Sequence, residues 1–598
     1  MKREGNKGIA PGPALLDALA RLITSAWKRV LAAALLMLVA AAVIGAPAAH
    51  KLSTGGFADP NADSTKATQV LVDKFHVGDG QLALLVRAHE AIDTQPVHTF
   101  IADLVAQLRV ADHVTTVVSP WDSPDPVAAG AASRDMHSAL IVAGLEGGEA
   151  QTPGYAAELA RRFSGDRDGG IIVLAGGASI TNTEVVDQTR RDLIVSEAIA
   201  LPIILAVLVW VFGGLAAALI PLAVGCLAIV GSIAILRLLV EVTEVSVFAL
   251  NLSAGMGLAL AIDYSLLIVS RYREELGAAA GSEEAIRRTM CTAGRTIGYS
   301  AATVGLCLMP MALFPMYALR SLAYGSVAVV VFAALASLFV APAAIMATAK
   351  RIAKAHVPHD LSANRWYRWA RIVMKRPAIA IAAAALPLLV IALPVLDVRF
   401  GFPDDRILPS TSTARQVGNE IRANFNHDLQ SAIPVVIPEA GHLNATQIRS
   451  YAAVLSRTTG VVGVSSPDAT FADGAAVGPP NGPTGARDGN VLLTIETRAA
   501  PFSGDYDTLL DRLKAVPRPA GNAVWLAGTE QTHRDSIDRI AARLPVVLCV
   551  IAAVMFVLLF RLTGSVVIPV KALVLNLFSL SATFGTMVWI FQEGHLGG

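Results

Sequence analysis

The residues of this 598-residue chain best suited to chemistry lie in one run, Asn251-Leu-Ser-Ala-Gly-Met-Gly-Leu-Ala-Leu-Ala-Ile-Asp263-Tyr264-Ser265, which sets an acid and a phenol inside an apolar stretch. A charge at the centre of a bilayer costs about 2.5 to 3.5 kcal/mol even on the gentlest insertion scale. The carboxyl is therefore expected to face protein or trapped water rather than lipid. Desolvation opposes its charged form, while a nearby hydroxyl or cation can favour either form. A group so placed can take a proton from one side of a membrane and release it to the other. The competing use of Asp263 is a hydrogen bond that fixes helix packing. Tyr264 has the same two uses open to it, and Ser300, early in the next apolar segment but one short loop away, can bond either across helices or to its own backbone.

No other constellation suggests catalysis. The chain has no HExxH, no phosphate-binding glycine loop and no GxSxG, so an enzyme, a cofactor and a metal centre are not expected. Cys226, Cys307 and Cys549 lie in apolar spans and Cys291 in a basic loop, which excludes a disulfide framework and a CxxC metal site. Asp166-Arg-Asp168-Gly lacks the further ligands of a calcium loop and reads as a solvated turn.

The helix that carries Asp263 must sit among others. Asn251, Gly255, Ala259 and Asp263 form one stripe at helical spacing, and Ser253, Gly257, Ala261 and Ser265 form another on a different face. Small residues on two faces let two neighbours approach closely, which predicts a central position in a bundle. Composition agrees: 54% of residues are hydrophobic, only 16% are charged and the mean hydropathy is +0.55, whereas soluble domains carry roughly 25% charged residues. A net charge of +1 with no basic, aromatic-laced patch gives no sign of a nucleic-acid partner.

Apolar runs near 20 residues predict nine membrane helices, at 30–49, 193–212, 215–236, 247–270, 297–319, 322–349, 378–396, 544–560 and 565–591. The first run ends in Ala46-Pro-Ala-Ala49, which has the look of a secretory cleavage site, but a matching span recurs later and the run is read as a retained helix. Lys and Arg stay on the cytoplasmic side. Lys350, Arg351, Lys354, Arg365, Arg368, Arg371, Lys375 and Arg376, with Asp360 the only acid and Trp366, Tyr367 and Trp369 among them, place the 350–377 linker inside. Arg271, Arg273, Arg287, Arg288 and Arg295 place the loop after the fourth span inside, and Glu241 and Glu244 lie outside. The expected plan is a cytoplasmic N-terminus (1–29), the first span (30–49), an outer domain (50–192), spans two to six (193–349), the basic linker, the seventh span (378–396), a second outer domain (397–543) and spans eight and nine (544–598).

The chain also repeats itself. Gly56-Phe57-Ala-Asp59 returns as Gly401-Phe402-Pro-Asp404, Leu174-Ala-Gly176 as Leu526-Ala-Gly528, Leu201-Pro202 as Leu544-Pro545 and Ile220-Pro221 as Ile568-Pro569, in order and at nearly constant spacing. Strands near 81–87, 114–119, 138–145 and 171–175 with helices near 97–110 and 153–163 give the first outer domain a βαββαβ, ferredoxin-like pattern. Strands near 431–437, 461–466, 490–498 and 523–527 with helices near 445–458 and 505–515 give the second the same. An even number of spans per repeat makes the halves parallel. By the local offset of about 348 residues, the counterpart of Asp263 falls near position 611, beyond Gly598.

The stretch Gly255-Met-Gly-Leu-Ala-Leu-Ala-Ile-Asp263-Tyr264-Ser-Leu-Leu-Ile-Val-Ser-Arg271-Tyr-Arg-Glu-Glu275, followed by Arg287-Arg-Thr-Met-Cys-Thr-Ala-Gly-Arg-Thr296, resembles the mycobacterial membrane protein large (MmpL) family of the resistance-nodulation-division (RND) superfamily. The order of spans, the two porter-like domains and the Pro-bearing helices extend the resemblance over nearly the whole chain. It implies export of cell-envelope lipids or lipid-like molecules across the inner membrane, driven by proton influx. In that family Asp-Tyr pairs on the fourth and tenth spans relay protons, so the resemblance gives Asp263 and Tyr264 that role and sets Ser300 beside it. This chain departs from the family pattern in ending before a tenth span.

The expectation is thus a polytopic α-helical membrane protein with two extracytoplasmic ferredoxin-like domains, a multi-pass protein of the inner membrane acting as a proton-driven lipid exporter. Its proton relay comprises Asp263, Tyr264 and Ser300. Its partners are the lipid, the membrane and either a second chain supplying the tenth to twelfth spans or further copies of itself. The alternative is a non-transporting membrane binding or scaffold protein, such as a sterol-sensing-like bundle, or an inactive remnant.

Overall fold

A computed structural model describes residues 13–47, 52–53, 55–77, 80–122, 130–167, 169–277, 281–352, 365–398, 401, 404–426, 432–499, 501 and 503–595. Ala48 and Ala49 of the cleavage-like site, Asp168, Lys354, Asp360, Phe402 and Pro403 lie outside the described residues. Among those residues nine helices are long and apolar enough to cross a membrane. They comprise α1 (Pro13–Gly45), α5 (Ala178–Phe212), α6 (Leu215–Leu239), α7 (Phe248–Leu276), the broken unit α8 (Ser282–Thr289) with α9 (Arg295–Leu308), α10 (Tyr317–Ile352), α12 (Pro377–Ala392), which follows the short linker helix α11 (Arg365–Lys375), α16 (Thr529–Thr563) and α17 (Val567–Met587).

Three of these helices run well past the apolar stretches that mark them in sequence. α1 begins about a dozen and a half residues early because its first half is amphipathic rather than apolar: Leu16, Ala20 and Ile23 are fully buried at helical spacing while Asp17 and Arg21 pair on the outside. Non-helical dihedrals at Ala26 mark the joint with the apolar half. α5 and α16 are each 35 residues long, roughly 52 Å at 1.5 Å per residue, against about 30 Å of hydrocarbon. Their first turns therefore stand clear of the bilayer and enter the α+β domains. The fifth crossing is interrupted instead, by a π turn at Met290–Gly294 and by a 3-10 turn at Met309–Leu313 that contains Pro310.

The first α+β domain holds β1 (Gly80–Ala88), α3 (Gln95–Arg109), β2 (Val114–Val118), β3 (Ser138–Leu145), α4 (Gly148–Phe163), a short edge strand β4 (Gly165–Arg167) and β5 (Ile171–Gly176). Its sheet order is β2-β3-β1-β5-β4, antiparallel throughout. The second holds β6 (Ile433–Ile437), α14 (Ala445–Ser456), β7 (Val461–Ser465), β8 (Thr470–Ala472), β9 (Ala475–Gly478), β10 (Gly485–Arg487), β11 (Asn490–Thr497), α15 (Gly504–Ala515) and β12 (Trp525–Leu526), with path β12-β6-β11-β7-β8-β9 and β10 paired to β11. Without the added strands both orders reduce to the ferredoxin-like arrangement, in which the first and third strands are central. The additions in the second domain are tight hairpins closed by Asp473-Gly474 and Asp488-Gly489, whose four residues all have φ between 49° and 84°, the left-handed pair that two-residue hairpin turns require.

Each sheet is covered on one face by its own helices and on the other by a helix from the opposite half of the chain. Leu82, Leu84 and Val86 of β1 join the core beneath α3 and α4, whereas Ala83 and Leu85, together with Leu140 and Val142, pack on Val417, Ile421 and Phe425 at α13 (Thr413–Asn424). A Cβ on Gly176 would lie 2.7 Å from Val417 Cβ, so glycine lets α13 lie on β5. Reciprocally, Ala67 of α2 (Asp63–Val70) and the following Leu71 and Phe75 pack on Val436, Leu492 and Ala527 of the second domain. Burial on both faces explains why Ser138–Leu145 is buried at every position and lacks a polar alternation.

Carboxylates fasten the exchanged helices. Glu184 of α5 accepts hydrogen bonds from Ser412 Oγ, Thr413 Oγ1 (2.7 Å) and Ala414 N (3.2 Å), capping α13. In the matching place on α16, Asp535 accepts from Ser64 N (3.4 Å) at the start of α2. Asp59, only 1% exposed, accepts from Arg539 Nε of α16 at 2.8 Å. Removing one partner of a buried pair leaves an uncompensated charge and costs about 3 to 5 kcal/mol, but the Arg539 side chain is 44% exposed and water moderates its share. Arg539→Ala should accordingly destabilise by about 2 kcal/mol in thermal or denaturant unfolding, and adding Asp59→Asn should recover most of that loss. A double variant that loses the sum of the two single-variant losses would show that the pair is not coupled.

Candidate functional site

Asp263 lies near the middle of α7, and the two small-residue stripes of that helix have different fates. Ser253, Gly257, Ala261 and Ser265 are all buried between α6 and α10. A Cβ on Gly257 would come 2.8 Å from Ile229 Cγ1 of α6 and 2.9 Å from Val329 Cγ2 of α10. From the other side, a Cβ on Gly325 of α10 would come 2.9 Å from Ser253 Oγ. Close approach is therefore a requirement on this face rather than a preference.

The other stripe is open. Gly255, Ala259 and Asp263 are exposed along this chain, and a Cβ built on Gly255 meets nothing within 4 Å. Among the described residues no neighbouring helix covers Asp263. The physical reason is that the last three spans dock elsewhere: α16 lies against α9 and the turn beyond it, where Val547 and Ile551 pack on Phe314 and Met316 and Arg543 donates to Leu313 O at 3.1 Å. Residue spacing on α7 is equally permissive on both faces, and it carries no information about which face a neighbour takes.

Tyr264 turns inward, about 100° around the helix from Asp263, and is 4% exposed within the main membrane core beside Ile268. Half-buried Ser300 on α9 is the polar group nearest in effect to its hydroxyl, but the hydroxyl makes no hydrogen bond of ordinary distance and angle among the described residues. The structure thus brings Tyr264 and Ser300 together and leaves Asp263 on the neighbouring, open face. Among the described residues no three His, Cys, Asp or Glu side chains gather as metal ligands.

Charged residues concentrate at the end of α7 remote from the α+β domains. Arg271 bonds Glu274 (2.8 Å) and Glu275 (2.6 Å), Arg287 bonds Asp17 of α1 (2.8 Å) and Glu284 (2.9 Å), and Arg273 donates to the carbonyl of Phe212. The pairing of Asp17 with Arg287, 270 residues apart, had no signal in sequence beyond the amphipathic start of α1. The interlocking acids Asp59, Glu184 and Asp535 were likewise invisible as partners, although Asp59 belongs to a repeated motif.

A bundle of membrane helices with two α+β domains at one end, built from two similar halves, defines a polytopic membrane protein with a duplicated architecture. The chain belongs to the MMPL family, whose sequence profile matches residues 56–380 and 408–598. It is 28% identical to the trehalose monomycolate exporter MmpL3 of Mycobacterium tuberculosis (strain ATCC 25618 / H37Rv), over 92% of this chain and 62% of that protein. It is 30% identical to the putative membrane protein SCO6666 of Streptomyces coelicolor, over 90% and 72% respectively. It is 32% identical to the heme uptake protein MmpL11 of Mycobacterium tuberculosis, over 71% and 44%. The chain therefore spans about three fifths of the length of the MmpL3 relative.

Because the Tyr264 hydroxyl is buried without a bond of ordinary geometry, removing it should cost nothing. Tyr264→Phe is expected to leave thermal stability unchanged or to raise it by up to about 1 kcal/mol. A loss of more than about 1 kcal/mol would show that the hydroxyl is hydrogen-bonded, with Ser300 the group to test next by Ser300→Ala.

Proposed function

We propose that this chain is part of a proton-driven exporter of cell-envelope lipid or lipid-like molecules across the inner membrane, with Asp263 carrying the proton and with Tyr264 and Ser300 as the other members of the relay. The observation that carries the reading is an acid in the middle of a membrane helix, on an open stripe of small residues, in a member of the MMPL family. An acid at that depth facing lipid is costly, and Gly255 and Ala259 beside it leave room for another helix to come close. In this reading a further membrane helix covers the stripe, supplied by a second chain or by another copy, and encloses Asp263 so that its protonation can alternate between the two sides. MmpL3 relatives carry the name of trehalose monomycolate exporters, which supports a lipid cargo.

The remaining assignments follow the same reading. The basic segments 271–295 and 350–376 and the N-terminus lie on the cytoplasmic side, the two α+β domains lie outside, and the domains form the passage for cargo. The intervening bundle works as a transporter and not as an enzyme.

The test is export by the complete assembly. Asp263→Asn, which keeps size and removes the titrating group, should reduce proton-linked lipid export at least tenfold while leaving expression and melting temperature unchanged, and Asp263→Glu should retain a measurable part of it. Export by Asp263→Asn at the unsubstituted rate would rule out the relay.

A further inference from the structure

The turn between α5 and α6, at the end of the bundle remote from the α+β domains, borders a half-open cavity of about 310 Å³ that has no part in the relay. Two cations line it: Arg273 from the last turns of α7 and Arg351 from the end of α10. Arg273 is ten residues beyond Asp263, roughly 15 Å along the helix. Its guanidinium donates to Phe212 O and lies 5.6 Å from the Phe212 ring centroid, while its Nε is buried with no hydrogen-bond partner. Arg351 is exposed. Neither arginine is paired with a carboxylate among the described residues, although their neighbours Arg271, Arg287 and Arg288 all are.

The third wall is backbone. Gly213 adopts φ 63°, which reverses the chain, and α6 then starts at Leu215 with no side-chain cap. The first helical amide to find a partner four residues back is Ala218 N, which donates to Gly214 O at 3.2 Å. The N–H groups of Leu215, Ala216 and Ala217 therefore point out of the helix end, and all three residues line the cavity. A Cβ on Gly214 would meet nothing within 4 Å, so the approach to those amides is open. Two guanidinium groups with no carboxylate partner among the described residues and an uncapped helix N-terminus converge on one space, and this is the donor set of a phosphate site.

The surroundings select the source of the phosphate. Leu215 is 56% exposed and Leu219, also on the cavity wall, 46% exposed, both on the membrane face of α6, and Trp210, one half-turn before Phe212, is 83% exposed. Apolar side chains lead from the anion site into the hydrocarbon and a tryptophan marks the interface beside it. We propose that this cavity binds the phosphate of an anionic phospholipid from the leaflet opposite the α+β domains, its acyl chains lying along Leu215 and Leu219. Such a lipid ties α5, α6, α7 and α10 together at their ends. The proposal is independent of the exported cargo and of proton coupling.

Native mass spectrometry of the purified, delipidated full chain tests it, with phosphatidylglycerol, phosphatidylcholine and inorganic phosphate as the added probes. The unsubstituted protein should retain phosphatidylglycerol at least tenfold better than phosphatidylcholine. Arg351→Gln should lower that retention at least fivefold without moving the melting temperature, since Arg351 makes no side-chain hydrogen bond or ion pair among the described residues; Arg273→Gln should lower it further, and Asp263→Asn should leave it unchanged. Equal retention of the two lipids, or unaltered phosphatidylglycerol retention in Arg351→Gln, would show annular lipid only and overturn the site. Displacement of phosphatidylglycerol by inorganic phosphate at equal concentration would identify a soluble-anion site and overturn the assignment to lipid.

Discussion

The membrane half of this protein depends on how closely three helices meet at Gly257. With a side chain there, α6 and α10 could not both touch α7, because the first added carbon would already press on Ile229 and Val329. In lipid no hydrophobic force gathers helices, since the tails are as apolar as leucine, and dispersion at short range has to hold the bundle together. Gly231 against Phe332 and Gly325 against Ser253 are further places where a missing side chain admits a neighbour. That tight triple contact fixes the rotation of α7 about its own axis. The rotation in turn decides that Tyr264 points inward and that Asp263 points away, since adjacent residues of a helix differ by about 100°.

Outside the membrane, exchange of α2 and α13 between the halves solves a problem the ferredoxin-like unit cannot solve alone. Its two helices cover one face of a four-stranded sheet, and the other face of β1 and β3 carries Ala83, Leu85, Leu140 and Val142, too apolar to meet water. The helix that covers them comes from the other repeat, so neither domain completes its core without its sister. Glu184 and Asp535, at corresponding places on α5 and α16, then tie each exchanged helix to the long helix that descends into the membrane. Each long helix is thereby joined to the opposite sheet through the exchanged helix.

Much of this was legible in the amino acids. Strands such as Leu82–Val86 and Ser138–Leu145 announce themselves by β-branched and aliphatic content, and Asn444 with Gln447 forms the capping box that starts α14 where helical periodicity begins. The tight turns Asp473-Gly474 and Asp488-Gly489 carry the commonest hairpin signal, but β8, β9 and β10 beside them are only three or four residues long, too short for a strand pattern to show. What periodicity cannot contain is the identity of the partner. Asp263 and Ser265 sit on stripes with the same Gly-Ala centre, yet one is open and the other fully buried, and the difference lies in which neighbours dock on α7 rather than in α7.

The same limit explains why the charges near the remote ends of the helices looked alike in sequence and do different work. Arg271, Arg287 and Arg288 each find an acid three or four residues away on their own helix. Arg273 lies one residue from Glu274 and two from both Arg271 and Glu275, separations at which helical side chains do not face each other, and its guanidinium crosses instead to the carbonyl of Phe212 on α5. Helical phase thus sorts neighbouring basic residues into those neutralised locally and those left to act at a distance. In a segment this rich in positive charge, the sorting concentrates the uncompensated part at one turn of the bundle, beside the glycines that leave the end of α6 uncapped.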